Sequence, residues 1–324
     1  MTPARRRSAW SWILSAALAA VLLYLSVRGV QWAEVWRAIA AAEWRYLVAG
    51  AALMVLSFFL RGLRWRVLLN AEARLDIATV FWANMAGYLG NNFLPARAGE
   101  VLRSYLIGSR STLSTTYVLT TALSERLMDV IALVLASSLA LLGMSPKPRW
   151  MADLSGTMAI VAAAGAIALL ALPHTGGLLE KAIRRVPLPH GLRDRLLRLA
   201  DQVLLGMRAF HDWGRLAGFV FLTVVIWTAD TLTTILTAQA LALNLSFRVA
   251  LLLLTALGLG SALPSTPGYV GIYQFVAVTV LVPFGVPRDL ALAFILVAQA
   301  QQYVVVTALG LPGLYKVRRG RGVQ

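Results

Sequence analysis

The 324-residue chain consists of long apolar runs separated by short polar or basic intervals. Many of the runs approach the roughly 20 residues that an α-helix needs to cross a bilayer. The pattern predicts apolar segments at about 9–27, 46–60, 77–94, 98–108, 113–143, 155–172, 216–243, 248–263, 269–284 and 289–312. We therefore expect an all-α, polytopic transmembrane helical bundle. It should form one integral membrane domain, 1–324, with halves at about 9–143 and 155–312.

Two of the apolar runs are interrupted by a similar sequence motif. Residues 90–100 read GNNFLPARAGE and residues 260–268 read GSALPSTPG, so both contain Leu-Pro-x-x-x-Gly. Proline removes a helix hydrogen-bond donor, and a bilayer tolerates irregular backbone only where protein or a watery cavity covers it. Paired interrupted segments in two halves are typical of transporter binding sites. The sequence predicts two broken hairpins, either re-entrant or fully spanning, whose tips are held open by Pro95, Gly99, Pro264, Pro267 and Gly268.

Composition narrows the class of protein. Hydrophobic residues make up 59% of the chain and charged residues only 14%, which excludes an ordinary soluble domain. The net charge of +16 is then explained by basic loops that fix topology, and we expect no nucleic-acid partner. The absence of cysteine excludes disulfides and thiol chemistry, and the three histidines are not spaced as ligands. We expect no metal and no cofactor.

Basic clusters predict the orientation of the chain in the membrane. All of them can be cytoplasmic at once if each broken pair returns to the side from which it came. Both termini are then cytoplasmic, and the two halves form inverted triplets. The clusters are Arg5–Arg7; Arg61, Arg64, Arg66 and Arg74; Lys181, Arg184, Arg185, Arg193, Arg195, Arg198 and Arg208; and Lys316, Arg318, Arg319 and Arg321.

Two segments leave alternatives open. The run at 9–27 is predicted to be an uncleaved first helix rather than a signal peptide, since it is long enough to span. The polar linker at about 174–213 fits a basic amphipathic helix on the inner leaflet, and it equally fits a solvated hairpin that joins the halves.

Charged residues inside apolar runs are costly, and they are therefore candidates for function. One cluster has i,i+3 spacing at the first break, a second lies in the run 113–143, and a single carboxylate lies in 216–243: Arg97, Glu100 and Arg103; Glu125, Arg126 and Asp129; and Asp230. A buried salt-bridge network would explain them structurally. An anion site would explain them functionally, because arginine presents a fork suited to phosphate. A helix N-terminus after Pro95 or Pro267 would add backbone donors.

Other polar and small residues have simpler interpretations. Asp230 is the single carboxylate among several threonines, and it is a candidate proton carrier or a partner of Arg126 or Arg103. The patch at Gln299–Tyr303 is explained by interhelical hydrogen bonds. Glycines at 87, 90, 258 and 260 indicate close helix approach. No Gly-x-Ser-x-Gly elbow, Walker loop or His-Glu-x-x-His motif is present, so we expect no catalytic residues and no enzyme activity.

Three strings together resemble one family. They are Asn91–Arg103, Glu125–Asp129 and Pro264–Gly271, and in order and spacing they are similar to the lysylphosphatidylglycerol synthase transmembrane-domain family, also described as flippase-like. The resemblance implies a bacterial or archaeal inner-membrane bundle, coupled in its best-known members to moving an aminoacylated phospholipid between leaflets. Those members continue into a soluble aminoacyl-transferase domain, which we expect to be missing here because the chain stops at Gln324. The family often has an acid near Gln274, and the amide here speaks against proton coupling at that position.

These observations predict a membrane lipid flippase or transporter-like protein of the bacterial inner (cytoplasmic) membrane. Its partners are membrane lipids, and a homo-oligomer and a separately encoded lipid-modifying enzyme stay open. The cavity would bind the anionic head group of a phospholipid or polyprenyl-phosphate lipid. The alternatives are an intramembrane lipid-modifying transferase and a non-transporting partner that anchors a separate enzyme through 174–213. The residues expected at the head group are Arg97, Glu100, Arg103, Glu125, Arg126, Asp129 and Asp230.

Overall fold

The computed structural model describes residues 17–94, 98–142, 212–261 and 267–319, together with parts of 156–204. Every regular element in this part of the chain is helical, which confirms the all-α prediction. The helices are α1 (Ala17–Val27), α2 (Trp32–Ala40), α3 (Trp44–Leu69), α4 (Ile77–Phe93), α5 (Ala98–Gly108), α6 (Thr115–Leu142), α7 (Gly176–Arg185), α8 (Trp213–Ala240), α9 (Phe247–Gly260), α10 (Ile272–Leu281) and α11 (Arg288–Arg319), with 3-10 turns at Pro267–Tyr269 and Val282–Phe284.

Short polar side chains begin several of these helices. The side chain of Asp76 accepts from the backbone N–H of Ala78 at 2.9 Å and of Thr79 at 3.2 Å, where α4 starts. Asp212 and Ser246 do the same for α8 and α9. Such caps satisfy backbone donors that the first helical turn leaves unpaired. They fix the helix starts close to the first residues of the predicted apolar runs.

Three described helices are long and apolar enough to cross a membrane, namely Trp44–Leu69, Trp213–Ala240 and Arg288–Val317. The 28-residue α6 is also long enough, but it carries Glu125, Arg126 and Asp129. α1 and α2 are bent by 85° relative to each other. The apolar pattern does not predict α2, whose exposed Trp32 and Trp36 are typical of a helix lying in the membrane interface.

The end of α3 lies beyond its predicted limit at residue 60. The helix continues to Leu69, so Arg61, Arg64 and Arg66 are helical. The prediction that Arg61 and Arg64 belong to a basic loop is wrong, since both side chains are buried. Carboxylates from other helices neutralise them, which removes the cost that would otherwise push arginine out of the bundle. The basic cluster is thereby reduced to Arg66 and Arg74.

Each broken run forms a helical hairpin. α4 packs on α5, and α9 packs on α10. At 1.5 Å per residue, the 11 residues of α5 and the 10 of α10 reach about 15–17 Å, about half of a hydrocarbon core of about 30 Å. The second helix of each hairpin is therefore shorter than the hydrocarbon core.

Glycine permits the close packing of the first hairpin. A Cβ at Gly99 would overlap the carbonyl oxygen of Gly87 and lie 2.6 Å from the backbone nitrogen of Asn91. Across the same contact, a Cβ at Gly90 would lie 2.8 Å from Cα of Gly99. In the second hairpin, Gly260 faces Ile272. The expectation of close helix approach is confirmed for Gly87, Gly90 and Gly260.

The two halves interlock through their hairpins. Each half has the order long helix, hairpin, long helix: α3, α4–α5, α6 and then α8, α9–α10, α11. α4 packs along α11 of the other half, and α9 packs along α6. The first long helices of the halves, α3 and α8, pack along each other. The 267–269 turn of the second break also contacts α4, so the two breaks meet inside one bundle.

Candidate functional site

Four helices bring ionisable side chains together in the interior of the bundle. α3 contributes Arg61 and Arg64, and the other members lie on α5, α6 and α8: Glu100 and Arg103, Glu125 with Arg126 and Asp129, and Asp230. Within the described residues this network contains four arginines and four carboxylates, so its formal charges cancel. Cancellation makes burial tolerable, because an unpaired charge in a membrane interior costs several kcal/mol.

Three members are closed to solvent, and we call Arg64, Arg103 and Glu125 the sealed layer. Their side chains are 0%, 1% and 2% exposed. Glu125 accepts from Arg64 Nη2 at 3.0 Å and, through its other oxygen, from Arg103 Nη2 at 3.2 Å. Arg103 also donates to Asn84, and its guanidinium lies 4.3 Å from the ring centroid of Trp65. These contacts join α3, α4, α5 and α6.

Asp129 connects the sealed layer to the remaining charges. Its Oδ1 accepts from Arg64 Nη1 at 2.6 Å and from Trp227 Nε1 at 3.1 Å. Its Oδ2 accepts from Arg64 Nη2 at 2.9 Å and lies 3.6 Å from Arg61 Nη1. α3, α6 and α8 are thus held by one carboxylate.

Asp230 on α8 is paired. One of its oxygens accepts from Arg61 Nη2, and the other accepts from the Ser57 hydroxyl at 2.5 Å. The guanidinium of Arg61 also lies over the ring of Trp227, 4.8 Å from its centroid. Of the two interpretations of Asp230, the structure shows the arginine partner, which is Arg61 on α3 rather than Arg126 or Arg103.

Glu100 holds one arginine on each side. Its Oε2 accepts from Arg103 Nε at 2.6 Å, and its Oε1 accepts from Arg126 Nε at 3.0 Å and from Asn91 Nδ2 at 3.4 Å. Because Glu100 directly follows Gly99, the close packing of the hairpin sets its position. The first break therefore carries the link between the sealed arginine and an open one.

Arg126 is the open arginine. Its side chain is 27% exposed, against 8% or less for each of Arg61, Arg64 and Arg103. Its Nη1 lies 4.0 Å from Asp129 Oδ2, beyond hydrogen-bond distance. Among the three guanidinium nitrogens of Arg126, only Nε donates to a carboxylate of the described residues. Its two terminal nitrogens therefore keep donors available to a ligand.

A cavity of about 310 Å³ opens beside the network. Such a volume lies at the lower end of small-ligand sites. Five charged residues contribute to its wall, and we call them the cavity layer: Arg61, Glu100, Arg126, Asp129 and Asp230. Both hairpins contribute other wall residues, including Asn91, Asn92, Ser261, Tyr269 and Tyr273. No group of side chains suited to a metal ion occurs among the described residues.

Neutral groups build the second break. Gly268 has φ +70°, and a Cβ there would overlap Tyr303, whose hydroxyl donates to the Gly268 carbonyl at 2.7 Å. Gln299 donates to the same carbonyl at 3.1 Å. Gln274 accepts from the backbone of Gly271 at 2.7 Å and donates to Gln299 at 2.5 Å. The expected interhelical hydrogen bonds of the α11 patch are confirmed, and the amide at position 274 ties α10 to α11.

Most of the charged residues expected from the sequence meet in this network. Glu100, Arg126, Asp129 and Asp230 reach the cavity, whereas Arg103 and Glu125 lie behind it in the sealed layer. Arg97, Pro95 and Pro264 lie outside the described residues, as do the three histidines and parts of the linker at 174–213. Arg61 and Arg64 were missed as site residues. Ser57, Arg61 and Arg64 are spaced by four and three residues, which places them on one face of a helix. This spacing is the sequence signal that could have identified both arginines as residues of the bundle interior.

The fold and the site define a multi-pass helical membrane protein in which two broken hairpins enclose a charged cavity. Residues 12–310 match the family described as the lysylphosphatidylglycerol synthase TM region, and the chain belongs to that family. It is also similar to the protein named Glycosyltransferase AglD from Haloferax volcanii, with 24% identity over 329 residues. The match covers 92% of this chain and 51% of AglD, so the chain spans about half the length of that relative.

Proposed function

We propose that the protein binds the phosphate of an anionic membrane lipid in the cavity and lets its head group pass between leaflets. Membership in the lysylphosphatidylglycerol synthase TM family supports a lipid-related role. The two short hairpins that meet at one charged cavity are the arrangement that transporters with interrupted helices use.

Arg126 carries the proposal. It faces the cavity, and its terminal nitrogens retain donors. An arginine whose Nε is fixed by a carboxylate presents its remaining N–H groups in a fixed plane, which suits two phosphate oxygens. Glu100 supplies that fixing contact at 3.0 Å. By sequence, Arg97 adds a further positive charge to the same break.

The test compares Arg126→Lys with Arg45→Lys. Arg45 is a matched control because its side chain is 76% exposed and lies at the start of α3, outside the cavity wall. Native mass spectrometry of the purified chain with phosphatidylglycerol should show about tenfold weaker binding for Arg126→Lys, because a point charge replaces a fork. Dithionite quenching of a fluorescent phosphatidylglycerol in vesicles should show a matching loss of translocation.

Equal lipid affinity in both variants would contradict the proposal. A loss of translocation with unchanged binding would place the role of Arg126 in movement rather than in phosphate recognition, and would also count against it. The melting temperature should change little in either variant, because Glu100 keeps its bond to Arg103 at 2.6 Å.

An intramembrane transferase is the second candidate, and the similarity to a protein named as a glycosyltransferase favours it. That name belongs to a protein about twice as long, so the matched half need not carry the activity. A transferase would convert a labelled lipid into a new product, whereas a flippase moves it unchanged. Thin-layer chromatography of lipids recovered from the vesicle experiment distinguishes the two candidates.

We also propose that both termini and residues 174–213 face the cytoplasm of a bacterial inner membrane. Support comes from the basic residues in these segments, including exposed Arg184 and Arg185 on α7. The chain has no cysteine, so a single cysteine at position 193 can be probed without background. Labelling of Arg193→Cys in intact cells by an impermeant reagent would overturn this orientation.

A further inference from the structure

The cavity changes chemical character along α8. Trp227 and Asp230 lie at its charged part, and the threonines at 233, 234 and 237 continue the wall. Seven residues of helix separate Asp230 from Thr237, a distance of about 10 Å along the axis. The facing part of α11 contributes Gln299, Gln301 and Gln302. A ligand with its phosphate at Arg126 would therefore extend into a compartment of hydroxyls and amides.

The first hairpin adds two unsatisfied amide atoms to this wall. Within the described residues, Asn91 Oδ1 and Asn92 Nδ2 are buried and have no hydrogen-bond partner. The side chain of Asn92 is more than nine-tenths buried, and both residues border the cavity. Buried polar atoms without a partner are costly, and such atoms beside a cavity indicate a ligand. One is an acceptor and the other a donor, which is the pair that a hydroxyl group satisfies.

Aromatic rings supply a flat surface in the same wall. Tyr269 and Tyr273 are stacked with ring centroids 4.9 Å apart and planes 9° apart. Both border the cavity on the side of the second break. A ring face of this kind can cover the C–H face of a cyclic polyol while its hydroxyls bond to amides.

Each carboxylate of the cavity layer is already paired with an arginine. Asp129, Asp230 and Glu100 are each bound to at least one arginine, at distances of 3.0 Å or less. An ammonium group would have to displace an arginine and leave that guanidinium buried and unpaired, which is strongly unfavourable. The paired carboxylates therefore offer no free partner to the ammonium group of an aminoacylated lipid.

We infer that the cavity recognises a lipid phosphate carrying a neutral polyhydroxylated ring, and that it discriminates against aminoacylated head groups. This inference rests on the proposed function. A sugar on polyprenyl phosphate and an inositol on a glycerophospholipid share this chemistry. Arg126 binds the phosphate, and Asn91, Asn92 and Gln302 bind the ring hydroxyls.

Binding of defined probes to the full-length purified chain in nanodiscs tests the inference. The probes are polyprenyl phosphoglucose, phosphatidylinositol, lysyl-phosphatidylglycerol and polyprenyl phosphate without a sugar. The better of the two ring-bearing probes should bind at least about tenfold more tightly than lysyl-phosphatidylglycerol, since the latter brings an unpaired ammonium. Which of the two binds better identifies the lipid to which the ring is attached.

Two variants locate the ring compartment. Asn92→Leu and Gln302→Leu should each weaken binding of the better ring-bearing probe about fivefold, the equivalent of one hydrogen bond, and leave polyprenyl phosphate unaffected. Gln239→Leu is the matched control, because Gln239 lies on α8 outside the cavity wall. If one variant fails to fold, the other still carries the measurement.

Equal or tighter binding of lysyl-phosphatidylglycerol would overturn the inference, as would Asn92→Leu and Gln302→Leu both behaving like Gln239→Leu. Either result leaves the proposed function intact, provided that Arg126→Lys still weakens the binding of phosphate lipids. If Arg126→Lys has no effect on any probe, the proposed function itself fails.

Discussion

Arg103 and Arg126 share one carboxylate and yet sit in opposite surroundings. Both bind Glu100 through Nε, at 2.6 and 3.0 Å. The remaining nitrogens of Arg103 bond to Asn84 and Glu125 in the sealed layer, where its side chain is 1% exposed. Those of Arg126 face the cavity. The two arginines therefore differ in burial and in unused donors, and the proposed ligand-binding residue is the one whose donors are unused.

The same distinction divides the two breaks. The first break uses charged residues, with Glu100 bridging two arginines, and the second uses amides and a tyrosine hydroxyl around the Gly268 carbonyl. Charge at one break and neutral hydrogen-bonding groups at the other give the shared cavity its two compartments. Two halves with the same order of helices thus contribute different chemistry to one cavity.

The largest expected effect comes from breaking the sealed layer. Arg64→Met should destabilise the protein by about 3–5 kcal/mol, because it leaves Glu125 and Asp129 buried with fewer cationic partners. Thermal unfolding in detergent measures the effect as a fall in melting temperature, with Arg45→Met as the exposed control. A melting temperature equal to that of the control would show that the sealed layer does not stabilise the bundle.

A smaller loss of stability is expected from a substitution at Gly99, which precedes the Glu100 that links Arg103 of the sealed layer to Arg126 of the cavity layer. Gly99→Ala places a methyl group against Gly87 and Asn91, and overpacking of this kind costs about 1–3 kcal/mol. It should also weaken lipid binding, since it displaces Glu100 and with it Arg126. Gly218→Ala is the control, because nothing lies within 4 Å of its added Cβ.

The melting temperature and the lipid affinity should both fall in Gly99→Ala, whereas only the lipid affinity should fall in Arg126→Lys. A Gly99→Ala protein with wild-type stability and affinity would contradict the tight packing of the hairpin. Loss of stability with intact binding would show that Glu100 does not link the layers.

The sequence predicts the helical class, the two breaks and most of the charged cluster, because proline-glycine motifs and charged residues are easily recognised within apolar runs. It does not separate Arg103 from Arg126, since exposure depends on which helices cover each face. Arg61 and Arg64 were assigned to a loop because they follow an apolar run, and only their partners on α6 and α8 identify them as buried. α2 escaped prediction because a nine-residue interfacial helix has no long apolar run.

The smallest perturbation compares two threonines by chemical labelling. Thr234 borders the cavity, whereas Thr121 is fully buried and its hydroxyl accepts from Trp65 Nε1 at 3.1 Å. Single Thr→Cys substitutions in this cysteine-free chain change little volume, so both variants should remain folded. A small charged thiosulfonate reagent should label Thr234→Cys and leave Thr121→Cys unmodified, and a bound phosphate lipid should slow the labelling at position 234. Equal labelling rates at the two positions, or no protection by lipid, would show that the boundary between the sealed layer and the cavity is not maintained in the membrane.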